Sequence, residues 1–281
     1  MGWTTLVQAE TLAIALNRAD LAIVDCRYSS ANPGAGEVAY EHSHIPGAVY
    51  AHMDRDLSDM HRRGEGRGRH PWPDAATFTE HLGRWGITPK HQVVAYDDGD
   101  GSMAARLWFL LRALGHEKVA VLDGGFRQWD TLHLPLDSGV TRPRATTYVA
   151  EFDAARLLDA DQVQAGLDAG ELLLDARPAD RFRGENDTMD RVAGHVPGAT
   201  NRPLAQNLSQ GRFKSPVQLA EEFRALLAGR TPEQAIMMCG SGVTACHNLL
   251  AMERAGLTGA KLYPGSWSGW IEDESRPIAR G

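Results

Sequence analysis

The chain has 281 residues, 43% of them hydrophobic and 23% charged, and a formal charge of −7. That composition excludes a mainly disordered chain, and the length fits two domains of about 100–150 residues each. No run nears the ~18 apolar residues that span a bilayer, so no membrane partner is expected. The acidic balance argues against nucleic acid, and three cysteines are too few and too odd in number for a disulfide framework, which points to a reducing, cytoplasmic setting.

The first residues, MGWTTLVQAETLAIAL, lack a basic start and carry Glu10 among the apolar positions, so no signal peptide is expected. A helix over 7–18 leads to a short apolar run ending in Asp25, then a polar loop and an HIPGA turn at 44–48. Asp74 caps a helix that ends near Gly86. The run QVVAY follows, then a glycine-rich loop, the helix LWFLLRALG and the strand VAVLDGG. Pro135 to Pro143 has the composition of a linker.

The same order then returns. IVDCR at 23–27 matches LLDAR at 173–177, and HIPGA matches HVPGA at 195–199. Later landmarks keep an offset of 141: Asp74 with Ser215, Gly115 with Gly256, Gly124 with Gly265, Trp129 with Trp270. Helix 160–168, LLLD, the cap Ser215-Pro216-Val217-Gln218, QAIMM, NLLAMERAG and AKLYPGS complete the second copy. Alternating strands and helices predict an α/β fold: two homologous domains, 1–138 and 146–281, each a mostly parallel sheet flanked by helices. Because both copies keep them, His44 and His195, Asp25 and Asp175, and Trp129 and Trp270 read as structural. Cys26 and Cys246 read as packing residues.

The second copy carries its chemistry in MMCGSGVTACHNLL. Cys239 follows the β run, and Gly240, Ser241, Gly242, Val243 and Thr244 lead into a helix. Ligands of doubly wound sheets bind at such strand ends. Two glycines let the backbone curl its N–H groups inward, and the helix adds its positive end. A thiol there is expected to ionise readily and act as a nucleophile. At the offset of 141, Asp98 pairs with Cys239, which predicts an inactive first domain. No metal or cofactor motif is present.

The repeated HxPGA and strand-Asp pattern, with CGSGVTA in the second copy, resembles the tandem-domain rhodanese family of sulfurtransferases over residues 4–278. Thiosulfate-specific members carry a loop resembling Cys-Arg-Lys-Gly-Val-Thr. Gly240 and Ser241 replace its two cations, so the loop is similar to that of the 3-mercaptopyruvate members. The resemblance implies a persulfide on Cys239, donor contacts from the loop residues 240 and 242–244, and a carboxylate-binding Arg181 in its RFRG setting. Arg191 matches a second family arginine. Ser241, His70 and Asp54 match a proton relay. Implied partners are a small-molecule sulfur donor and, as acceptor, a small thiol, a thioredoxin-like protein or cyanide.

Arg183 and the arginine cluster at 62–69 read as solvated surface, the cluster as a mobile loop. Two further readings stand within this fold: thiosulfate:cyanide transfer, and a persulfide carrier for a protein thiol. A phosphatase is excluded, because its loop needs arginine six residues after the cysteine and Ala245 is there.

Overall fold

Two parallel sheets carry the chain, one for each copy of the repeat. The computed structural model describes residues 2–281. Unit 1 holds the residues up to Ser58, Pro73–Asp153 and Gln210–Phe213. Its strands β1 (Leu6–Val7), β2 (Leu21–Asp25), β3 (Val49–Tyr50), β4 (Gln92–Tyr96) and β5 (Val119–Leu122) pair in the order β1-β5-β4-β2-β3, every pair parallel. Its helices are α1 (Ala9–Ala15), α2 (Ala35–His42), α3 (Met53–Asp56), α4 (Ala75–Arg84), α5 (Ser102–Ala113) and α6 (Gly125–Thr131). Strand β4 is buried at every residue, as a central parallel strand covered on both faces must be. Its Val94 and Tyr96 pack with Leu12, Ile23, Tyr40, Leu122 and Trp129.

Unit 2 holds Asp59–Trp72, Ala154–Ser209 and Lys214–Gly281. It contributes β6 (Leu172–Asp175), β7 (Thr200–Asn201), β10 (Ala235–Met238) and β11 (Lys261–Leu262), again all parallel, in the order β11-β10-β6-β7. Two short strands, β8 (Leu208–Ser209) and β9 (Arg212–Phe213), stand outside both sheets. Its helices are α7 (Ala160–Asp168), α8 (Ala179–Arg183), α9 (Pro216–Leu227), α10 (Ala245–Arg254) and α11 (Ser266–Trp270). The core joins Val163, Leu173, Val196, Ile236 and Met238 to Tyr263, Trp267 and Trp270. From β6 the chain runs to one sheet edge and from β10 to the other, so their carboxyl ends form the switch point at which open parallel sheets bind ligands. Among the described residues no helix is long and apolar enough to cross a membrane.

Local chemistry accounts for the element ends. Asp74 accepts from the Thr77 amide at 2.8 Å, and Ser215 closes a capping box with Gln218 behind Pro216. The expected helix over 7–18 starts later, because Leu6 and Val7 pair with Val121 and Leu122 at the sheet edge. Residues 135–143 are not a loose linker: the Trp129 indole donates to the Pro135 carbonyl, His44 and Asp137 form a bridge, and the Gly139 amide donates to Glu41. The second copy repeats this with Trp270 on Pro277 and His195 bridged to Ala279.

The domain boundaries also differ from the expected 1–138 and 146–281. The glycine-rich segment Asp59–Trp72 belongs to unit 2, where Gly68 fits so tightly that a Cβ would lie 2.3 Å from the Gly265 carbonyl. Only glycine allows that approach at φ +77. Gln210–Phe213 belongs to unit 1, where the Phe213 amide donates to Asp123 at 3.0 Å.

Each β2-type strand ends in a buried ion pair. Asp25 takes Arg27 Nε at 2.9 Å and Nη2 at 2.6 Å; Asp175 takes Arg177 in the same way at 3.0 and 2.7 Å. Each arginine also donates to the turn before the histidine, at Ser43 and Gly194. Both aspartates are fully buried, so deleting Asp25 removes the carboxylate that neutralises the buried Arg27. Asp25→Ala should lower the unfolding free energy by about 3–5 kcal/mol in urea titrations, and a loss under about 1 kcal/mol would contradict this account of the turn.

Candidate active site

The nucleophile loop is held by backbone bonds. Cys239 follows β10, and its carbonyl accepts from the Trp267 amide at 3.0 Å while the Gly240 carbonyl accepts from Ser268 at 2.9 Å. The Cys239 amide donates to Ser266 Oγ at 3.0 Å. Ser266 stands at φ +52, a region non-glycine residues rarely adopt, and is fully buried. Gly242, at φ +77, passes so close to Pro264 that a Cβ would lie 2.3 Å from its carbonyl oxygen. The loop therefore curls back, and the Gly242 amide donates to Cys239 Sγ at 3.1 Å. Val243 is buried, Thr244 is the N-cap residue of α10, and Cys246 is buried in the helix.

Unit 1 contains the same loop with a different filling. The Asp97 carbonyl accepts from Phe126 and the Asp98 carbonyl from Arg127, as Cys239 and Gly240 do from Trp267 and Ser268. Strand registers agree, setting Tyr96 against Asp25 and Met238 against Asp175. Asp97, not the expected Asp98, thus occupies the position of Cys239. The first loop is one residue longer, which shifts an alignment built on its glycines. Asp97 Oδ1 accepts from Gly99 and Gly101, and Oδ2 from Met103 and Ala104, all within 3.1 Å. Burial and the Asp100 carboxylate push its pKa up to about 6 against those amides. The anion cradle of unit 1 is occupied by its own side chain.

Around Cys239, unit 2 gathers three of the expected groups. Ser241 Oγ lies 2.8 Å from His70 Nδ1. Arg181 Nη2 would stand 3.4 Å from a Cβ on Gly240. The second guanidinium there is Arg69, whose Nη2 would lie 3.0 Å from the same Cβ. Arg69 is the exception to the solvated reading of the cluster: its amide donates to Ser268 Oγ at 2.9 Å and the Gly66 amide donates to Glu272, whereas Arg63 and Arg67 are exposed as expected. Arg191 is directed elsewhere, onto the Ile271 carbonyl and Glu274, because its neighbour Asp190 takes the inward place. Asp54 stands in unit 1, where its carboxylate accepts from the Tyr28 hydroxyl at 3.1 Å. Arg183 pairs with Glu185 on the surface, as expected.

Two carboxylates complete the cluster. Asp190 binds Arg69 through one oxygen and Arg181 Nη2, at 2.9 Å, through the other. Burial raises its pKa, with Arg69 pulling the other way. Asp187 accepts from the Met189 and Asp190 amides, and pairs with Arg181 and Arg177. Burial opposes its ionisation, but the Met189 amide and Arg181 outweigh it and hold it below the usual carboxylate range. Cys239 is 1% exposed.

The Rhodanese-like domain family matches residues 8–132 and 159–273. A Pseudomonas aeruginosa protein named “Probable 3-mercaptopyruvate sulfurtransferase” is 46% identical over the full length of both chains. A Mycobacterium tuberculosis protein whose name marks it a candidate thiosulfate sulfurtransferase is 37% identical, covering 98% of this chain and 97% of that one. The solved structure of SseA, a 3-mercaptopyruvate sulfurtransferase of Escherichia coli, superposes with a TM-score of 0.78 and 33% identity, over 95% of this chain and all of the other.

The two loop glycines should respond differently to a methyl group. Gly242→Ala meets backbone at 2.3 Å and a positive φ, and should lose about 2 kcal/mol of stability or more. Gly240→Ala meets only the ends of Arg69 and Arg181, which yield, and should stay within about 1 kcal/mol of the parent. Urea denaturation compares them; equal damage would mean the loop is not pinned at Pro264.

Proposed function

This chain belongs to the rhodanese family and is a sulfurtransferase; from that premise we propose that it moves sulfur from 3-mercaptopyruvate through a persulfide on Cys239. The observation that carries the reading is the Cys239 sulfur at the carboxyl end of β10, bonded by the Gly242 amide at 3.1 Å, with Ser241 two residues along the loop paired to His70. The Cys239 thiolate attacks the donor's sulfur. The carbon–sulfur bond breaks, its electron pair passes into the pyruvate enolate, and the methylene carbon takes up a proton. The donor thiol's proton passes through Ser241 to the imidazole of His70, which stands 2.8 Å from the serine oxygen. An acceptor thiol or cyanide then attacks the outer sulfur and releases the Cys239 thiolate. The Gly242 amide stabilises anionic sulfur at the start and end of the cycle.

Arg181 is assigned the donor's carboxylate, which a guanidinium binds through paired N–H groups. The acceptor is a small thiol, a thioredoxin-like protein or cyanide, and cysteines kept as thiols fit a reducing cytoplasm. Unit 1 is assigned no turnover, because Asp97 supplies no sulfur and fills its own cradle. A second reading, thiosulfate as donor, is favoured by the two guanidinia above Gly240, since a dianion gains from both.

Intact mass after exposure to 3-mercaptopyruvate should increase by one sulfur atom, and Cys239→Ser should show no gain. His70→Asn and Ser241→Ala should slow sulfur loading by about 10²–10⁴-fold with 3-mercaptopyruvate, a thiol donor, and far less with thiosulfate, which brings no proton. Faster turnover with thiosulfate than with 3-mercaptopyruvate would reverse the donor assignment.

A further inference from the structure

We infer that Arg69 and Arg181 together form the donor-anion site of unit 2, and that the Asp190 carboxylate is its resident internal ligand, displaced by the donor's own carboxylate. The inference rests on the sulfur-transfer reading above. Asp190 has a side chain only 2% exposed and bridges the two guanidinia, one oxygen to each. A free carboxylate would bind the same pair in the same way. Both Nη2 groups reach the space over Gly240, beside Cys239, and the absence of a side chain at 240 is what leaves room for them. The loop's missing cations are thus supplied by segments far away in sequence.

Asp187 and Asp190 play different parts. Asp187 builds the turn, taking two backbone amides and standing against Arg177 and Arg181. Asp190 reaches across to Arg69 instead, and burial makes its charge the less favourable of the two. Exchange of one carboxylate for another leaves both arginines neutralised, so the swap costs little electrostatic energy. There is also somewhere for Asp190 to go. A cavity of about 270 Å³ adjoins Asp190 and is lined by Arg63, Arg191 and Glu272, leaving room for the side chain to turn out.

An internal ligand lowers apparent affinity by the fraction of time that it vacates the site, so its removal tightens binding. Pyruvate is the probe, since it has the donor's carboxylate and ketone but no sulfur to transfer. Isothermal titration of pyruvate into D190N should give about tenfold tighter binding than the parent, and R69Q about tenfold weaker. In R69Q/D190N the gain from D190N should shrink, because one arm of the clasp is gone. Initial rates should follow, with a lower KM for 3-mercaptopyruvate in D190N. A carboxylate that merely positioned the arginines would produce the opposite sign. Weaker or unchanged pyruvate binding by D190N overturns the resident-ligand assignment. Unchanged binding by R69Q overturns the two-arginine site, and that arm stands even if D190N does not fold. Pyruvate titration needs no sulfur transfer, so a chain that binds pyruvate as described but gains no sulfur from 3-mercaptopyruvate would sink only the donor reading.

Discussion

The site depends on a crossing of two backbones. Residues 239–242 leave β10 and run against the turn 264–268, joined by amide-to-carbonyl bonds from Trp267 and Ser268 and by the approach of Gly242 to Pro264. None of these contacts uses the side chain of Cys239. Unit 1 makes the same crossing with Phe126, Arg127 and Gly125, the last so near Asp97 that a Cβ would lie 2.6 Å from its carbonyl. A loop pinned at this crossing can therefore hold a thiol in one copy and a carboxylate in the other. In unit 1 the carboxylate collects four amides; in unit 2 the sulfur accepts from Gly242.

Periodicity and capping made the frame legible in the sequence. Strand β4 coincides with QVVAY and α7 with 160–168, because a buried apolar run and a Ser or Asp cap are local signals. The repeat itself exposed the histidine turns and the strand-end aspartates as structural, and both prove to be buried and bonded within their own copy. Cys239 was legible because two glycines and a helix start surround it. Matching the loop glycines sets unit 1 off by one residue, since it hides the extra residue of the first loop. Only strand register resolves it.

Arg69 and Asp190 were hidden for a different reason. An arginine among glycines and arginines has the composition of solvated loop, and no local rule says which one turns inward. The decision is made by long-range contacts: Gly68 against Gly265, the Gly66 amide on Glu272, the Arg69 amide on Ser268. Arg191 failed as the second arginine through the same kind of accident. In the loop 187–191 Asp187 and Asp190 face in, and the guanidinium next to Asp190 turns to the Ile271 carbonyl. One step along the backbone exchanges a cation for an anion at the site.

That exchange changes how the charge of the site should be understood. Judged by its own residues the loop is poor in cations, with Gly240 and Ser241 following the cysteine. In the fold, two guanidinia stand over Gly240, and Asp190 offsets part of their charge. Cations delivered from separate segments differ from cations built into the loop, because their partners can be changed without disturbing the backbone crossing that holds the sulfur. Segment Asp59–Trp72 comes from the first half of the sequence but folds into unit 2, bringing both Arg69 and His70. The second copy of the repeat therefore does not hold the whole site: the sulfur, its amide donor and Arg181 are its own, and Arg69 and His70 come from a segment of the first.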